Sequence, residues 1–272
     1  MKENRSVIII GVSSGIGQAL SRKWLNKGWK IFGTYRTEDQ TINELKNLGA
    51  IMVHCDLASS LSTSSACRKL KKICSVWDVL VICPASLEPI GLFVDLTVED
   101  WADSIQLNFI NQIKMVHQLL PSRRIGSSLG SCVLFFSGGG INDAPTHYSA
   151  YTVSKIATIK MAEILDVEIP DTRFISIGPG WVDTKIHDQT IKAGSKAGPN
   201  YNRTVKKIEK KDFTPIDRII NCCDWVINAS KKVVGGRNIN VLYDNWGNKE
   251  LERKLTKDHH LFKLRKYGSI KK

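Results

Sequence analysis

The sequence predicts an α/β fold, a three-layer αβα sandwich built on a doubly wound, seven-stranded parallel sheet in a single domain. Short β-branched runs alternate with stretches whose apolar residues recur three or four positions apart, as Ile16, Ala19, Leu20 and Trp24 do. A glycine-rich turn follows the first run, and no repeat or Gly/Ser linker divides the 272 residues. Parallel strands covered by helices on both faces produce this alternation.

Seven short apolar runs are the expected strands. They are short and rich in β-branched residues, which is typical of buried parallel strands. In chain order they are residues 7–10, 30–35, 51–54, 79–83, 132–136, 174–177 and 238–242. The spacing also predicts long helices near 98–120 and 150–168.

The predicted domain covers residues 1–245 and includes a less regular segment at about 183–214. That segment is long for a connection, so we expect a substrate lid that can contain short helices. Residues 246–272 follow as a basic tail, in a chain whose formal net charge is +13. The tail is either a solvated extension or a surface for an anionic partner. No nucleic-acid motif accompanies it, so no nucleic-acid partner is expected.

Composition predicts a cytoplasmic protein without a membrane segment. Hydrophobic residues make up 42% of the chain, and no apolar run approaches the roughly 20 residues that a membrane-spanning helix needs. The charged N-terminus leads into a glycine-rich loop instead of a cleavage region, so no signal peptide is expected. The seven cysteines contain no C-x-x-C pair. Reduced, buried thiols are therefore favoured over disulfides or zinc, and no metal site is expected.

The glycine-rich turn has the character of a phosphate-binding loop. It leads from the first strand into the first helix as Gly11, Val12, Ser13, Ser14, Gly15, Ile16 and Gly17. Glycines there allow a tight turn, a close approach of the backbone to a pyrophosphate and close packing of the helix on the sheet. No Gly-Lys-Ser/Thr sequence ends the turn, which excludes a Walker-type loop. We therefore expect a Rossmann-type dinucleotide site, with an ordinary strand-to-helix turn as the alternative.

The G-x-x-x-G-x-G spacing resembles the glycine signature of the short-chain dehydrogenase/reductase family. The resemblance extends over residues 5–243 and rests on five motifs in the family's order. It implies an oxidoreductase that interconverts a carbonyl and a secondary alcohol by hydride transfer with a nicotinamide cofactor. It also implies a homodimer or homotetramer assembled through the two long helices.

The end of the second strand favours NADP(H) over NAD(H). NAD-binding folds usually place an acid about 20 residues after the glycine loop, where it binds the ribose 2′-hydroxyl. Here the strand ends in Tyr35 and Arg36, and the first acid is Glu38. A guanidinium binds a 2′-phosphate through charge-assisted hydrogen bonds, with Ser13 and Ser14 as further donors. A solvated Arg36 with bound NAD is the alternative.

Two later loops extend the resemblance, one of them with a departure. Asp56 and Leu57 follow the third strand and match the family's pair beside the adenine. After the fourth strand the family has Asn-Asn-Ala-Gly, whereas this chain has Cys83, Pro84 and Ala85. Two asparagine side chains are missing there, so contacts near the ribose must come from the backbone or from other residues.

Tyr151 and Lys155 form the predicted proton-transfer pair, and both are expected to contact the cofactor. Residues four apart share one face of a helix. A phenol has a pKa of about 10, and a neighbouring ammonium is expected to lower it towards neutrality. The pair follows a strand and a Gly-rich loop, as the family requires. Tyr148 is a competing tyrosine, but Thr152, four residues on, cannot replace a lysine.

Ser137 and Asn108 complete the catalytic set that the resemblance implies. Ser137 ends the fifth strand and is expected to hydrogen-bond the substrate oxygen. The family's serine lies one residue nearer the tyrosine, where this chain has Gly138, so a loop one residue longer is assumed. Asn108 lies within the predicted helix, where asparagine is unfavourable. In the family it interrupts the helix and holds a water that links the lysine to solvent.

The sixth strand leads into a turn that resembles the family's nicotinamide-framing turn, with Pro179, Gly180, Trp181, Val182 and Thr184 as expected cofactor contacts. The lid that follows is rich in basic residues. They favour an anionic substrate, such as a phosphorylated or nucleotide-linked sugar, unless they are simply solvated. They are Lys185, Lys192, Lys196, Arg203, Lys206, Lys207, Lys210 and Lys211.

Three other functions remain as alternatives. A nucleotide-sugar epimerase or dehydratase of the related extended fold is disfavoured by the short chain and the Pro-Gly turn. An NADP(H)-sensing regulator without turnover is disfavoured by the complete set of four catalytic residues. A nucleic-acid-binding protein that uses the basic tail is the third.

Overall fold

The computed structural model describes residues 4–266, and its seven strands form one parallel sheet. The strand order is β3-β2-β1-β4-β5-β6-β7, and every neighbouring pair is parallel. The strands are β1 (Ser6–Ile10), β2 (Lys30–Tyr35), β3 (Ile51–His54), β4 (Val79–Ile82), β5 (Ser131–Phe136), β6 (Thr172–Gly178) and β7 (Asn238–Asn240). The predicted fold class is confirmed.

Eleven α-helices connect and cover these strands in the described residues. They are α1 (Gly15–Asn26), α2 (Gln40–Asn47), α3 (Ser60–Ile73), α4 (Val98–Ile105), α5 (Asn111–Leu119), α6 (Ser149–Glu168), α7 (Ile186–Ala193), α8 (Pro199–Glu209), α9 (Ile216–Asn228), α10 (Lys231–Val234) and α11 (Lys249–Lys257). Side-chain oxygens of Ser14, Asp39, Ser59 and Thr97 cap the first four, which satisfies amides that a helix N-terminus leaves unpaired. No described helix has both the length and the apolar character needed to cross a bilayer.

The core lies on both faces of the sheet. Val7 and Ile9 of β1 pack with α1, α2 and α9 on one face, whereas Ile8 and Ile10 pack with α3, α5 and α6 on the other. Alternate residues of a strand point to opposite faces, so a strand covered by helices on both sides is apolar at every position. The free cysteines contribute to this interior, since all except the half-buried Cys83 are buried.

Asparagine side chains shape two elements, one as the family resemblance implies and one in departure from its predicted bounds. The helix expected at 98–120 is divided by a π-helical turn at Gln106–Ile110, where the Asn108 amide turns inward to bond residues outside its helix. The last strand ends at Asn240 instead of residue 242, because Asn240 Oδ1 accepts the amides of Leu242 and Tyr243 and folds the chain into a turn. The predicted lid contains the two helices α7 and α8.

The basic tail packs on the domain as far as the structure describes it; residues 267–272 lie outside the described residues. Leu255 of α11 is fully buried. Arg237, also buried, donates to the carbonyls of Leu255, Asp258 and Leu261. Phe262 then accepts the amide of Asn238, so the segment covers the edge of β7. A buried cation with several carbonyl acceptors holds the segment in place.

Replacing Arg237 with methionine should lower the free energy of unfolding by about 2–3 kcal/mol, because three buried carbonyls lose a charged donor. Urea denaturation followed by tryptophan fluorescence measures the loss. Arg253→Met, on the exposed side of α11, is the matched control and should change it by less than about 0.5 kcal/mol. Equal stability of the two variants would contradict the anchoring role.

Candidate active site

A cavity of about 1330 Å³ lies along the carboxyl ends of the strands. The strand order reverses between β1 and β4, and ligands of open parallel sheets bind in the crevice at that point. The glycine-rich loop and the end of β2 line one end of the cavity, and β5, the start of α6 and the lid line the other. One cleft therefore contains every loop in which the sequence predicts a functional residue.

The glycine-rich loop takes the form expected of a phosphate-binding turn. Gly11 has φ +80°, a conformation that strongly favours glycine. An added Cβ at Gly17 would lie 2.4 Å from the Gly11 carbonyl oxygen, so only glycine allows α1 to begin this close to β1. Ser14 caps α1 by accepting from the Gly17 amide and donating to the Gly11 oxygen. Its hydroxyl thus shapes the loop, while Ser13, Gly15 and Ile16 line the cavity.

The residues after β2 leave a guanidinium facing the cavity. Arg36 is exposed and lines the cleft. The two acids that follow it have partners of their own: Glu38 pairs with Lys46, and Asp39 caps α2 by accepting the amide of Ile42. A positive group therefore stands where an NAD-binding fold would present a carboxylate.

The loops after β3 and β4 line the middle of the cavity. Asp56 accepts the amide of Ala58, and the Leu57 carbonyl accepts from Asn111, so both residues are fixed at the cavity wall. Pro84 lies so close to Gly11 that a Cβ there would stand 2.6 Å from its Cγ. Pro84 and Ala85 thus line the cleft with backbone and apolar surface in place of the family's asparagines.

Tyr151 and Lys155 lie together at the start of α6, on the cavity wall. The ammonium is 5.7 Å from the centre of the tyrosine ring, and it donates to the Phe136 carbonyl at 2.9 Å. Burial raises the pKa of Tyr151 to about 12 and lowers that of Lys155 to about 8. The direction of this shift is opposite to the expected one, because burial disfavours the phenolate and raises the pKa of Tyr151.

Asn108 is fully buried in the π-helical turn, and its side-chain amide hydrogen-bonds mainly to the loop after β4. Its Oδ1 accepts the Ser86 amide, and its Nδ2 donates to the Ser86 carbonyl and to Ser104 Oγ. The side chain therefore fixes a cavity loop. The turn itself is the interruption that sequence reasoning expected at this position.

Ser137 is buried at the end of β5, and its hydroxyl donates to Asn238 Oδ1 at 2.9 Å. Gly138, one residue on, packs against the tyrosine instead. A Cβ built on Gly138 would lie 2.6 Å from Tyr151 Oη. The family's serine position, one residue nearer the tyrosine, is therefore the one that faces the phenol in this chain, and glycine occupies it.

The turn after β6 forms part of the cavity wall next to the glycine-rich loop. Thr184 Cγ2 lies 2.7 Å from where Gly15 would carry a Cβ, so the turn reaches the glycine-rich loop. The Trp181 ring stacks on His187 at 4.6 Å between centroids. The remaining predicted contacts of this turn also line the cleft: Pro179, Gly180 and Val182.

The lid contributes residues that sequence reasoning missed. Gln189 of α7 accepts the amide of Leu87 and donates to Ser86 Oγ, and Thr190 hydrogen-bonds the Tyr148 hydroxyl at 2.7 Å. These contacts join the lid to the loop after β4 and to α6. They connect residues more than 40 positions apart, and no local spacing in the sequence indicates them.

Comparison with known proteins identifies the family of this fold and site. A family model described as short chain dehydrogenase matches residues 5–194. The chain belongs to the short-chain dehydrogenase family. Serine 3-dehydrogenase of Agrobacterium fabrum is 23% identical over 245 residues, which are 87% of this chain and 92% of that protein.

Solved structures show the same fold. A short-chain dehydrogenase/reductase from Saccharomyces cerevisiae has a TM-score of 0.78 and 20% identity, with 91% of this chain and 98% of that one covered. Actinorhodin polyketide ketoreductase with NADPH has a TM-score of 0.74 and 19% identity, with 89% and 97% covered. This chain is thus an oxidoreductase of the short-chain dehydrogenase family.

The stability of the protein should depend on the buried ammonium of Lys155. The pKa of Lys155 in the folded protein is about 8, below the ordinary value of 10.5. Between pH 8 and pH 10.5 the unfolded chain therefore binds this proton more readily than the folded protein does. From pH 8 to pH 10 the free energy of unfolding should rise by about 2 kcal/mol relative to that of Lys155→Met. Urea titrations at several pH values measure the difference. Lys160→Met, on the exposed side of α6, should show no such rise relative to the natural chain, and a flat difference for Lys155→Met would contradict the burial of the charge.

Proposed function

We propose that this chain interconverts a small-molecule carbonyl compound and the corresponding alcohol with NADP(H), with Tyr151 as general acid and base. One observation carries the proposal: a phenol and an ammonium share the cavity that the glycine-rich loop and Arg36 line at its other end. That arrangement supports a proton donor beside one end of an extended dinucleotide site.

The cavity fits a dinucleotide by its own geometry. Gly11 and Gly15 line the cleft without side chains where α1 begins, so the amides of the helix N-terminus would face a bound phosphate there. Gly11, Ser13, Gly15 and Arg36 would hold the adenosine and phosphate end, while Tyr151, Lys155 and the turn from Pro179 to Thr184 would hold the nicotinamide end. NADPH, when bound, supplies the hydride that reduces the carbonyl carbon.

The residues of this chain then move the proton. As the carbonyl carbon gains the hydride, its oxygen takes the proton from Tyr151 Oη, and a phenolate remains. The raised pKa keeps the phenol protonated at neutral pH, which is the form that reduction needs. The Lys155 ammonium stabilises the phenolate through charge. The π-helical turn at Asn108 is the interruption at which the family holds a water, and such a water would link Lys155 to solvent.

NADP(H) is proposed over NAD(H) because of Arg36. Its guanidinium lines the cavity, and the acids beside it are engaged with Lys46 and with the N-terminus of α2. The polyketide ketoreductase of similar fold was solved with NADPH. A 2′-phosphate gains charge-assisted hydrogen bonds from a guanidinium that a 2′-hydroxyl cannot match.

The charge of the cavity does not favour an anionic substrate. Only three of the eight basic lid residues line the cleft, namely Lys185, Arg203 and Lys207. Lys207 is paired with Asp212, and the whole lining contains seven Asp or Glu side chains and five Lys or Arg side chains. We therefore propose an uncharged or weakly charged carbonyl or alcohol as substrate, which includes sugar-derived compounds.

Self-association is proposed through α4 and α6. Both helices expose apolar side chains, with Val98 65%, Val153 50% and Val167 73% accessible. Contact with a second copy would remove this surface from water.

A cytoplasmic location is proposed from the free cysteines, which a reducing compartment keeps as thiols.

Replacing Tyr151 with phenylalanine should lower kcat by at least about 1,000-fold, since the proposed mechanism takes the proton from this hydroxyl. NADPH affinity, measured by fluorescence titration, should change by less than about threefold. Tyr148→Phe is the matched control and should keep most of the activity, because that hydroxyl bonds Thr190. Turnover of the Tyr151 variant near the natural rate would refute the assignment.

Replacing Arg36 with leucine should raise the Kd for NADPH by about 10- to 100-fold and leave that for NADH nearly unchanged, because a charged hydrogen bond is worth about 1.5–3 kcal/mol. Lys30→Leu removes the same charge at the other end of β2, where the side chain is exposed, and should leave both constants unchanged. Equal weakening of both nucleotides by Arg36→Leu would contradict recognition of the 2′-phosphate.

A further inference from the structure

The end of β5 is fixed by three hydrogen bonds from different parts of the fold. The Ser137 amide donates to the Ile177 carbonyl, which extends the pairing of β5 with β6 by one residue. The Ser137 hydroxyl donates to Asn238 on β7, and Lys155 of α6 donates to the Phe136 carbonyl, each at 2.9 Å. Ser137 is buried at the cavity wall, and its hydroxyl is engaged with Asn238. Three elements therefore determine where the next residue, Gly138, lies.

Gly138 packs against the phenol of Tyr151 without room for a side chain. A Cβ at this position would lie 2.6 Å from Tyr151 Oη, 2.9 Å from Cε1 and 3.0 Å from Cζ. Real Cβ atoms essentially never approach other atoms this closely, so a substituent at residue 138 requires the Tyr151 side chain or the end of β5 to shift. Gly139, the next residue, has no atom within 4 Å of its Cβ position. The steric demand is specific to Gly138.

We propose that Gly138 and Ser137 are positioning residues for Tyr151, and that the Ser137 hydroxyl acts through Asn238 and not on the substrate oxygen. The fixed end of β5 presents bare backbone to one side of the phenol, and this contact sets the place of Oη in the cleft. On the side of the cleft at the end of β5, Tyr151 is then the side chain that donates to the substrate oxygen. This inference rests on the proposed function, because it assigns the support of the same proton donor.

The glycine pair gives a matched steric test. Activity is measured with NADPH and the carbonyl compound that the natural chain reduces fastest in a panel of ketones and aldehydes. Gly138→Ala should lower kcat at least 10-fold, shift the pH profile of kcat and leave the Kd for NADPH unchanged, because the phenol moves relative to Lys155. Gly139→Ala should keep kcat within twofold. A crystal structure of Gly138→Ala should show Tyr151 Oη displaced by about 1 Å or more. Full activity of Gly138→Ala with an unmoved ring would overturn the proposal.

Serine at residue 138 tests whether the site merely lacks a hydroxyl. Gly138→Ser should be as impaired as Gly138→Ala, because both introduce the same Cβ. Activity of Gly138→Ser above that of the natural chain would overturn the positioning role of Gly138.

The Ser137–Asn238 contact is tested by a double-mutant cycle. Ser137→Ala and Asn238→Ala should each lower kcat by about three- to tenfold, and the double variant should be no worse than either, since both remove one contact. The KM for the carbonyl compound should stay constant, and Ser137→Thr, which keeps a hydroxyl, should recover activity. A loss of 100-fold or more in Ser137→Ala with a normal Asn238→Ala variant would show that Ser137 contacts the substrate and overturn the proposal. Tyr151→Phe distinguishes a failure of the proposed function from a failure of the positioning role. An active Tyr151→Phe enzyme would contradict the proposed function. If that variant is inactive, the double-mutant cycle alone decides the role of Ser137.

Discussion

The packing of α6 against the end of β5 is the contact on which the site depends. Lys155 Nζ donates to the Phe136 carbonyl, and one turn earlier Tyr151 lies against Gly138. A strand end and a helix start are thereby locked together at the carboxyl edge of the sheet. Because the same edge carries the glycine-rich loop, the proton donor and the dinucleotide cleft share one cavity.

Burial controls the electrostatics of that contact. The pKa of Tyr151 is raised and that of Lys155 is lowered, and desolvation is the largest cause in both cases. One pKa rises and the other falls, but both shifts favour the uncharged form of the group. A phenol in this state holds its proton at neutral pH, which suits a donor to a carbonyl oxygen better than an acceptor from an alcohol.

Asparagine side chains fix the loops around the cleft. Asn108 interrupts a long helix to bond Ser86, Asn240 ends β7, and Asn238 receives the Ser137 hydroxyl. The amides of Asn108 and Asn240 bond backbone groups of irregular segments, so both occur where an element is interrupted or ends. The lid is joined to the same loops through Gln189 and Thr190. Several separate groups of polar contacts therefore hold the cavity wall.

The sequence by itself determined the strands, the sheet class and the loops that carry the site. Apolar periodicity and the glycine spacing are local properties, so β2 and β3 have the predicted bounds and the predicted loops converge on one cleft. The directions of side chains at the site were decided by tertiary structure. No spacing shows that Ser137 turns to β7 while Gly138 faces Tyr151, because that depends on where β5, β7 and α6 meet. The packing of the basic tail likewise depends on Arg237, whose acceptors lie about 20 residues away, and the pKa of Tyr151 depends on burial that only the folded chain creates.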